Sequence, residues 1–434
     1  MLSMPFMILW MWIRGMVAVA LLGGGMYLLY HWYDALPRPM PPEQEITDAT
    51  RVPVPQRSAL DRVASWHPGL NWETAALGGG LFLVFVAGGG GAWLMPLWWR
   101  AGTPEPRARP AGTVQRLTRP DGTTLHIECY GAPDAPPILL THGWGVTSAQ
   151  WDDLTPHLAA RYRLCVWDLP GLGHSTRPAN ADFSLDKMAH DLEAILTLLG
   201  PRPVVLLGHS IGGMILLTFC RLFLQALGSR VGGLILAHTT YTNPVRTTER
   251  HRLYTALQKP VLEPLLRLTI WLSPVVWLLN VLSYLNGSAH LSNARQSFAG
   301  TQTRDQVRRV TRCLLHASPA VLARGMLGML RYDATATLGD IDIPVLVVAG
   351  DRDTTTLPTV GTFIHAAIPE SQFTLLTPAK HQGVIERHEP FAQAVAAFCT
   401  TCAHAEGRDQ APPRQTLTPH PRETLGSPRE DLAG

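Results

Sequence analysis

Two long uncharged stretches near the N-terminus constrain this chain more than anything else in it. Residues 15–33 read GMVAVALLGGGMYLLYHWY, 19 residues without a formal charge when His31 is neutral. Residues 74–99 read TAALGGGLFLVFVAGGGGAWLMPLWW, 26 residues without a charge. About 20 apolar residues carry a helix across the hydrocarbon core of a bilayer, so both stretches qualify as transmembrane helices. Each ends in an aromatic cluster, Tyr30, Trp32 and Tyr33 in the first and Trp93, Trp98 and Trp99 in the second, as suits a membrane–water interface. A cleaved signal peptide is the competing reading of the first stretch. The length of the run, the apolar residues before Arg14 and the lack of a small-residue cleavage site speak against it. A buried soluble helix is the competing reading of the second, and its length and the flanking Arg100 speak against that. Residues 1–100 are therefore expected to form a membrane hairpin.

A hairpin leaves residues 34–73 on one side and everything after residue 100 on the other. The loop carries four arginines (Arg38, Arg51, Arg57, Arg62) and the opposite side six (Arg14, Arg100, Arg107, Arg109, Arg116, Arg119). The positive-inside rule then favours a cytoplasmic C-terminal domain, by a margin of two. The six cysteines (129, 165, 220, 313, 399, 402) form no evident disulfide framework, which agrees with a reducing compartment. Cys399 and Cys402 lack a second pair or a nearby histidine cluster, so they read as packing rather than zinc or redox chemistry. In an antiparallel hairpin, Gly23–Gly25 and Gly88–Gly91 fall at the same depth and are expected to form the helix–helix contact; a merely glycine-rich composition is the alternative.

Composition follows from this organisation. Hydrophobic residues make up 46% of the 434 and charged residues 16%, against about 25% charged in a soluble domain. A balance of 36 basic and 33 acidic residues, net +3, leaves no field for a nucleic-acid partner.

Residues 101–113 (AGTPEPRARPAGT) read as a linker, 114–402 as a globular domain, and 403–434 as a disordered tail. The globular part alternates. β-rich runs at 124–129, 138–141, 163–167, 203–207, 233–237, 344–349 and 372–376 are separated mostly by helical patterns at 185–199, 211–227, 358–368 and 390–401. Such alternation predicts an α/β architecture, a mostly parallel sheet with helices on both faces. Residues 241–335 interrupt it with a largely helical pattern and read as an insertion.

Gly208-His209-Ser210-Ile211-Gly212 sits between a strand and a helix, the context in which G-x-S-x-G exposes its serine on a tight turn. A serine hydroxyl needs a base to take its proton. Gly350-Asp351-Arg352-Asp353 follows the strand 344–349, and Lys380-His381-Gln382-Gly383 follows the strand 372–376. Serine, aspartate and histidine thus each fall at a strand's C-terminal end, where open α/β sheets gather their functional groups. An acyl-transfer intermediate also needs two N–H donors. The Ile211 amide supplies one, and Trp144, in Thr141-His142-Gly143-Trp144-Gly145, supplies the other. His142 is expected to be structural.

These motifs, with Asp168-Leu169-Pro170-Gly171-Leu172-Gly173-His174-Ser175 and Gly213, occur in an order that resembles the α/β-hydrolase fold superfamily over residues 114–402. The resemblance implies Ser210 as nucleophile, Asp353 rather than Asp351 as the acid, His381 as the base, and Trp144 and Ile211 as the oxyanion hole. It makes His174 and His209 structural and 241–335 a cap. Serine in place of aspartate disfavours epoxide hydrolases and haloalkane dehalogenases. Esterases, lipases, thioesterases, carbon–carbon bond hydrolases, acyltransferases and cofactor-free haloperoxidases remain open, as does a non-catalytic membrane scaffold. No metal or organic cofactor is implied. A third span at 265–285 would separate Ser210 from everything after it, so that apolar stretch reads either as ordinary cap packing or as a surface lying on the bilayer. The expectation is a membrane-anchored serine hydrolase cleaving a lipophilic carboxylic ester, with membrane lipid as neighbour.

Overall fold

The computed structural model describes residues 7–36, 71–99 and 112–409. Residues 101–111 of the expected linker, residues 410–434 of the expected tail, and Arg38, Arg51, Arg57, Arg62, Arg100, Arg107 and Arg109 lie outside them.

Eight strands form one sheet in the order β1-β2-β4-β3-β5-β6-β7-β8. They are β1 (Gly112–Thr118), β2 (Thr124–Tyr130), β3 (Pro137–Thr141), β4 (Arg163–Trp167), β5 (Val204–His209), β6 (Val231–Ala237), β7 (Val345–Gly350) and β8 (Gln372–Leu376). β1 and β2 pair antiparallel with their neighbours, and the other pairings are parallel. Side chains alternate across a strand, and here the alternation divides them between two cores. Leu206, Leu234, Leu236, Val345 and Val347 face one core, and Leu207, Ile235, Leu346 and Val348 face the other. Both faces being covered, β3 and β7 are buried at every position, which is why they read as unbroken apolar runs. β1 has no such signature. It is an edge strand whose residues are mostly exposed, and it takes in the last two residues of the expected linker.

The α-helices of seven or more residues are α1 (Met7–Ala35), α2 (Trp72–Trp98), α3 (Leu185–Leu199), α4 (Ile211–Leu222), α5 (His251–Leu257), α6 (Glu263–Trp271), α7 (Ser273–Leu285), α8 (Ser288–Ser297), α9 (Arg304–His316), α10 (Pro319–Met329), α11 (Pro358–Ala367) and α12 (His388–Asp409). α5 to α10 lie between β6 and β7. α1 and α2 are both long and apolar enough to cross a membrane. They run antiparallel, with Gly25 against Gly80 and Val84, and Gly79 and Gly80 against Leu28 and Leu29.

Three expectations are corrected. First, the glycine runs do not meet. Gly88 and Gly89 face open space, and Gly91 instead abuts Leu285 and Gly287 at the end of α7. The glycines opposite Gly25 are those of the earlier run, Gly78–Gly80, because α1 and α2 cross nearer the loop. Second, Cys129 and Cys165 form a disulfide. They are far apart in sequence but face each other in the antiparallel β2–β4 register, which no spacing pattern reveals. Third, α1 begins at Met7, so Arg14 lies within it and is buried at 8% exposure rather than flanking it in water.

The first turns of α1 explain that burial. Ile8 and Met11 belong to the same core as Leu262 and Leu266 of the α5–α6 region, Val276 of α7 and Val321 of α10. The Trp12 indole N–H donates to Thr269 Oγ1 at 2.9 Å, and Gly15 lets the α1 backbone touch Leu279. α1 is thus packed into the region between β6 and β7. Leucine at Gly15 or Gly91 is expected to destabilise the full chain in detergent by about 1–3 kcal/mol through overpacking. Leucine at Gly23 or Gly88, which face open space, is expected to leave the thermal unfolding midpoint unchanged.

Candidate active site

The local geometry begins with Ser210, which joins β5 to α4 at φ 55° and ψ −118°. An L-residue reaches this region only against steric resistance and holds it when the surroundings leave no alternative. The surroundings here are glycines. A Cβ on Gly208 would come 2.5 Å from the Gly212 carbonyl carbon, and one on Gly212 would strike the Thr141 carbonyl oxygen at the end of β3. The turn aims Ser210 Oγ away from the sheet toward two other strand ends.

From beyond β8 comes His381, whose Nε2 accepts the Ser210 Oγ–H at 2.9 Å. From beyond β7 comes Asp353, whose Oδ2 accepts the His381 Nδ1–H at 2.9 Å. All three are buried, at 6%, 3% and 1% exposure. Asp351 is turned away: it accepts from the Ala379 amide and the Thr377 hydroxyl and so ties the β7 loop to the β8 loop.

Asp353 is heavily hydrogen-bonded. Its Oδ1 accepts from the Thr355 and Thr356 amides at 2.8 and 3.1 Å. Its Oδ2 also accepts from the Thr356 hydroxyl at 2.8 Å and from His238 Nδ1–H at 3.2 Å. Burial pushes this carboxyl up, but the charge of His381 and the hydrogen bonds from His238 and His381 outweigh burial and hold it well below the usual carboxylate range. His238 was invisible in the sequence. It follows β6 with φ 46°, a fourth strand end, and nothing in Ala237-His238-Thr239 marks it. Its Nε2 has no partner among the described residues.

His209 and His142 hold main chain. His209 Nε2–H donates to the His381 carbonyl at 2.8 Å, and its Nδ1 accepts from Gln150 Nε2 at 2.9 Å. Gln150 Oε1 accepts from the Gly143 amide at 2.9 Å. This relay, including Gln150, which sequence reasoning also missed, couples the loop after β3 to the loop bearing His381. Burial, then the charges of His381 and His238, keep His209 neutral, its pKa well below the usual histidine value. His142 donates from Nδ1 to the Gly143 carbonyl and accepts the Leu169 amide at Nε2, and burial lowers its pKa. His174 lies beside His126, and its amide donates to Asp168.

Ile211 opens α4, so its N–H has no acceptor within the helix. Trp144 lies in the turn after β3, and neighbouring Gly143 is close enough that a Cβ there would come 3.6 Å from Ser210 Cβ. The Trp144 indole is buried under α10, where Nε1–H donates to the Leu322 carbonyl at 3.1 Å. Space at Ser210 is small. The cavity of about 20 Å³ is bounded by Met214, Thr240, Pro244, Met326, Met329, Thr355 and Thr356. Ligand pockets usually measure about 300–1,000 Å³, so the space beside Ser210 is smaller than a typical ligand pocket. A nucleophile, a base within hydrogen-bond reach, an orienting carboxylate and two adjacent amides can together perform acyl transfer.

Known proteins place this architecture. The alpha/beta hydrolase fold family matches residues 136–260. A pimeloyl-[acyl-carrier protein] methyl ester esterase of Aeromonas hydrophila subsp. hydrophila is 38% identical over 92 residues, 21% of this chain and 34% of that protein. The chain thus spans only about a third of that relative. A putative carbamate hydrolase of Stutzerimonas stutzeri is 29% identical over 276 residues, 62% of this chain and 94% of that protein. The crystal structure of a membrane phospholipase A shares the fold with a TM-score of 0.55 at 20% identity, covering 76% of this chain and 96% of the other. The chain has the α/β-hydrolase fold.

Because the folded state holds Asp353 low, its contribution to stability is present above about pH 4 and is lost as pH falls below that value. Asp353→Asn is expected to destabilise the protein at neutral pH. It should also flatten the loss of unfolding free energy between about pH 5 and 3, read by chemical denaturation.

Proposed function

We propose that this chain is a membrane-anchored serine hydrolase that cleaves a lipophilic carboxylic ester through an acyl-enzyme. The observation that carries the reading is the continuous hydrogen-bonded line from Ser210 Oγ through His381 to Asp353, with both links at 2.9 Å. Ser210 attacks the ester carbonyl while His381 Nε2 takes its proton. Asp353 keeps the imidazole in the tautomer with Nδ1 protonated and stabilises the imidazolium. The Ile211 and Trp144 amides hold the oxyanion. His381 returns the proton to the departing alcohol, and water, activated by the same histidine, releases the acid and restores Ser210.

The substrate class follows from the lining. Met214, Pro244, Met326 and Met329 surround the nucleophile, an apolar wall suited to an acyl chain. α1 and α2 hold this site beside a bilayer. For the side of the membrane, burial of Arg14 reduces the arginine margin to one. The Cys129–Cys165 disulfide fits an oxidising compartment, and we assign the domain to the exoplasmic side. Alkaline phosphatase fused after residue 409 is expected to be active in cells. An inactive phosphatase fusion together with a fluorescent green fluorescent protein fusion would reverse the assignment.

Fluorophosphonate labelling is expected in the parent and absent in Ser210→Ala; retained labelling of that variant would overturn the assignment of the nucleophile. Asp353→Asn should lower kcat by about 10⁴-fold, the scale of losing the orienting carboxylate. Esters of graded acyl length, set beside matched thioesters and carbon–carbon bond substrates, should be turned over fastest as long-chain oxygen esters.

A further inference from the structure

The region between β6 and β7 presents an apolar face to the outside. Trp271 is 78% exposed, Leu278 53%, Val275 49%, Trp277 47% and Leu285 41%. On α7 the two faces separate cleanly. Val276, Asn280 and Ser283 point into the protein, while Val275, Leu278 and Leu285 point out. Apart from His290, no residue from 268 to 294 carries a titratable acid or base other than tyrosine. A monomeric soluble protein rarely leaves such a face in water.

The two contacts that α7 makes with the anchor fix where this face lies. Leu279 meets α1 at Gly15, and Leu285 and Gly287 meet α2 at Gly91. Gly15 stands 18 residues before Tyr33 and Gly91 stands 19 residues after Trp72. At 1.5 Å per residue both contacts lie about 27–29 Å from the aromatic residues at the far end of the hairpin, close to the roughly 30 Å thickness of the hydrocarbon core. The exposed Trp93 and Trp98 of α2 flank the same level. α7 therefore crosses both spans at one depth, that of the near membrane boundary, with its apolar side outward. The helical stretch His251–Trp271 and α7 are bent by 96° to each other, which suits a wedge resting on a surface rather than a third span.

From these placements we infer that α6 and α7 lie in the near leaflet, and that the ester substrate reaches Ser210 from the lipid between them and α10. The inference rests on reading α1 and α2 as membrane spans and deepens the proposed ester hydrolysis. The occupant of the apolar face is the bilayer, because the face continues the exposed apolar sides of α1 and α2, such as Met16, Val17 and Phe82. The path inward is short. α10 packs on α6 and α7, and its inner side places Met326 and Met329 over Ser210. A groove of about 880 Å³, whose lining includes Asp168, Asp305, Arg308, Arg309 and Arg312, does not border Ser210.

Spin labels test the placement directly. The full chain is reconstituted in phosphatidylcholine vesicles, with Cys313→Ser as background and a label on Leu278→Cys or, as the aqueous control, on Arg308→Cys. The label at 278 is expected to collide with oxygen more than with a water-soluble nickel chelate, and the label at 308 the reverse. Equal nickel accessibility at the two positions overturns the inference whatever the enzyme hydrolyses. The entry route is read with Trp271→Glu/Leu278→Glu. Its rate on a long-chain ester in vesicles should fall at least about 10-fold more than its rate on a soluble short-chain ester, the scale of losing one buried large apolar side chain. A vesicle rate that falls no further than the soluble rate overturns the route. Ser210 labelling by fluorophosphonate in the same variant reports separately on the hydrolase reading.

Discussion

The close approach of Gly212 to the Thr141 carbonyl is the contact on which the site depends. It brings the start of α4 against the end of β3 with no room for a side chain. Ser210 is thereby pushed into its left-handed turn, and the β3 loop is drawn beside it. The other groups are held relative to that crossing. Gln150 and His209 tie the β3 loop to the main chain of His381, and Asp351 ties the β7 and β8 loops together. Four strand ends are thus fixed to one another by hydrogen bonds, and those of Gln150 and His209 are buried, so that their loss would leave polar groups unsatisfied. The precision of the site thus comes from neighbours that do not touch a substrate.

The second organising feature is the joint between α1 and the segment over the site. Ile8 and Met11 belong to the core of the α/β domain, and Trp12 packs against it. Here the orientation of the domain on its hairpin is set by packing at Gly15 and Gly91, and the apolar outer face of α7 follows from it.

Much of the fold was legible because its signals are local or periodic. Seven of the strands stand out as apolar runs, and Ser210, Asp353 and His381 sit in motifs at strand ends. β1 was missed because an exposed edge strand needs no apolar pattern. His238 and Gln150 were missed because each acts through a partner more than a hundred or about sixty residues away. The disulfide was missed because strand register, not spacing, brings Cys129 and Cys165 together. The glycine runs misled because equal depth in two helices does not determine which faces meet.

The sequence by itself determined the alternation of strands and helices, the uncharged lengths of α1 and α2, and the chain order of serine, aspartate and histidine. Hydrophobic periodicity and turn chemistry act over a few residues and are written in the order of the chain. Only the tertiary structure decided that His238 joins Asp353 beside His381, and that Gly91 meets Gly287 instead of α1. Those choices depend on which surfaces can approach within a few ångströms, and close packing of distant segments settles that only when the whole chain is folded.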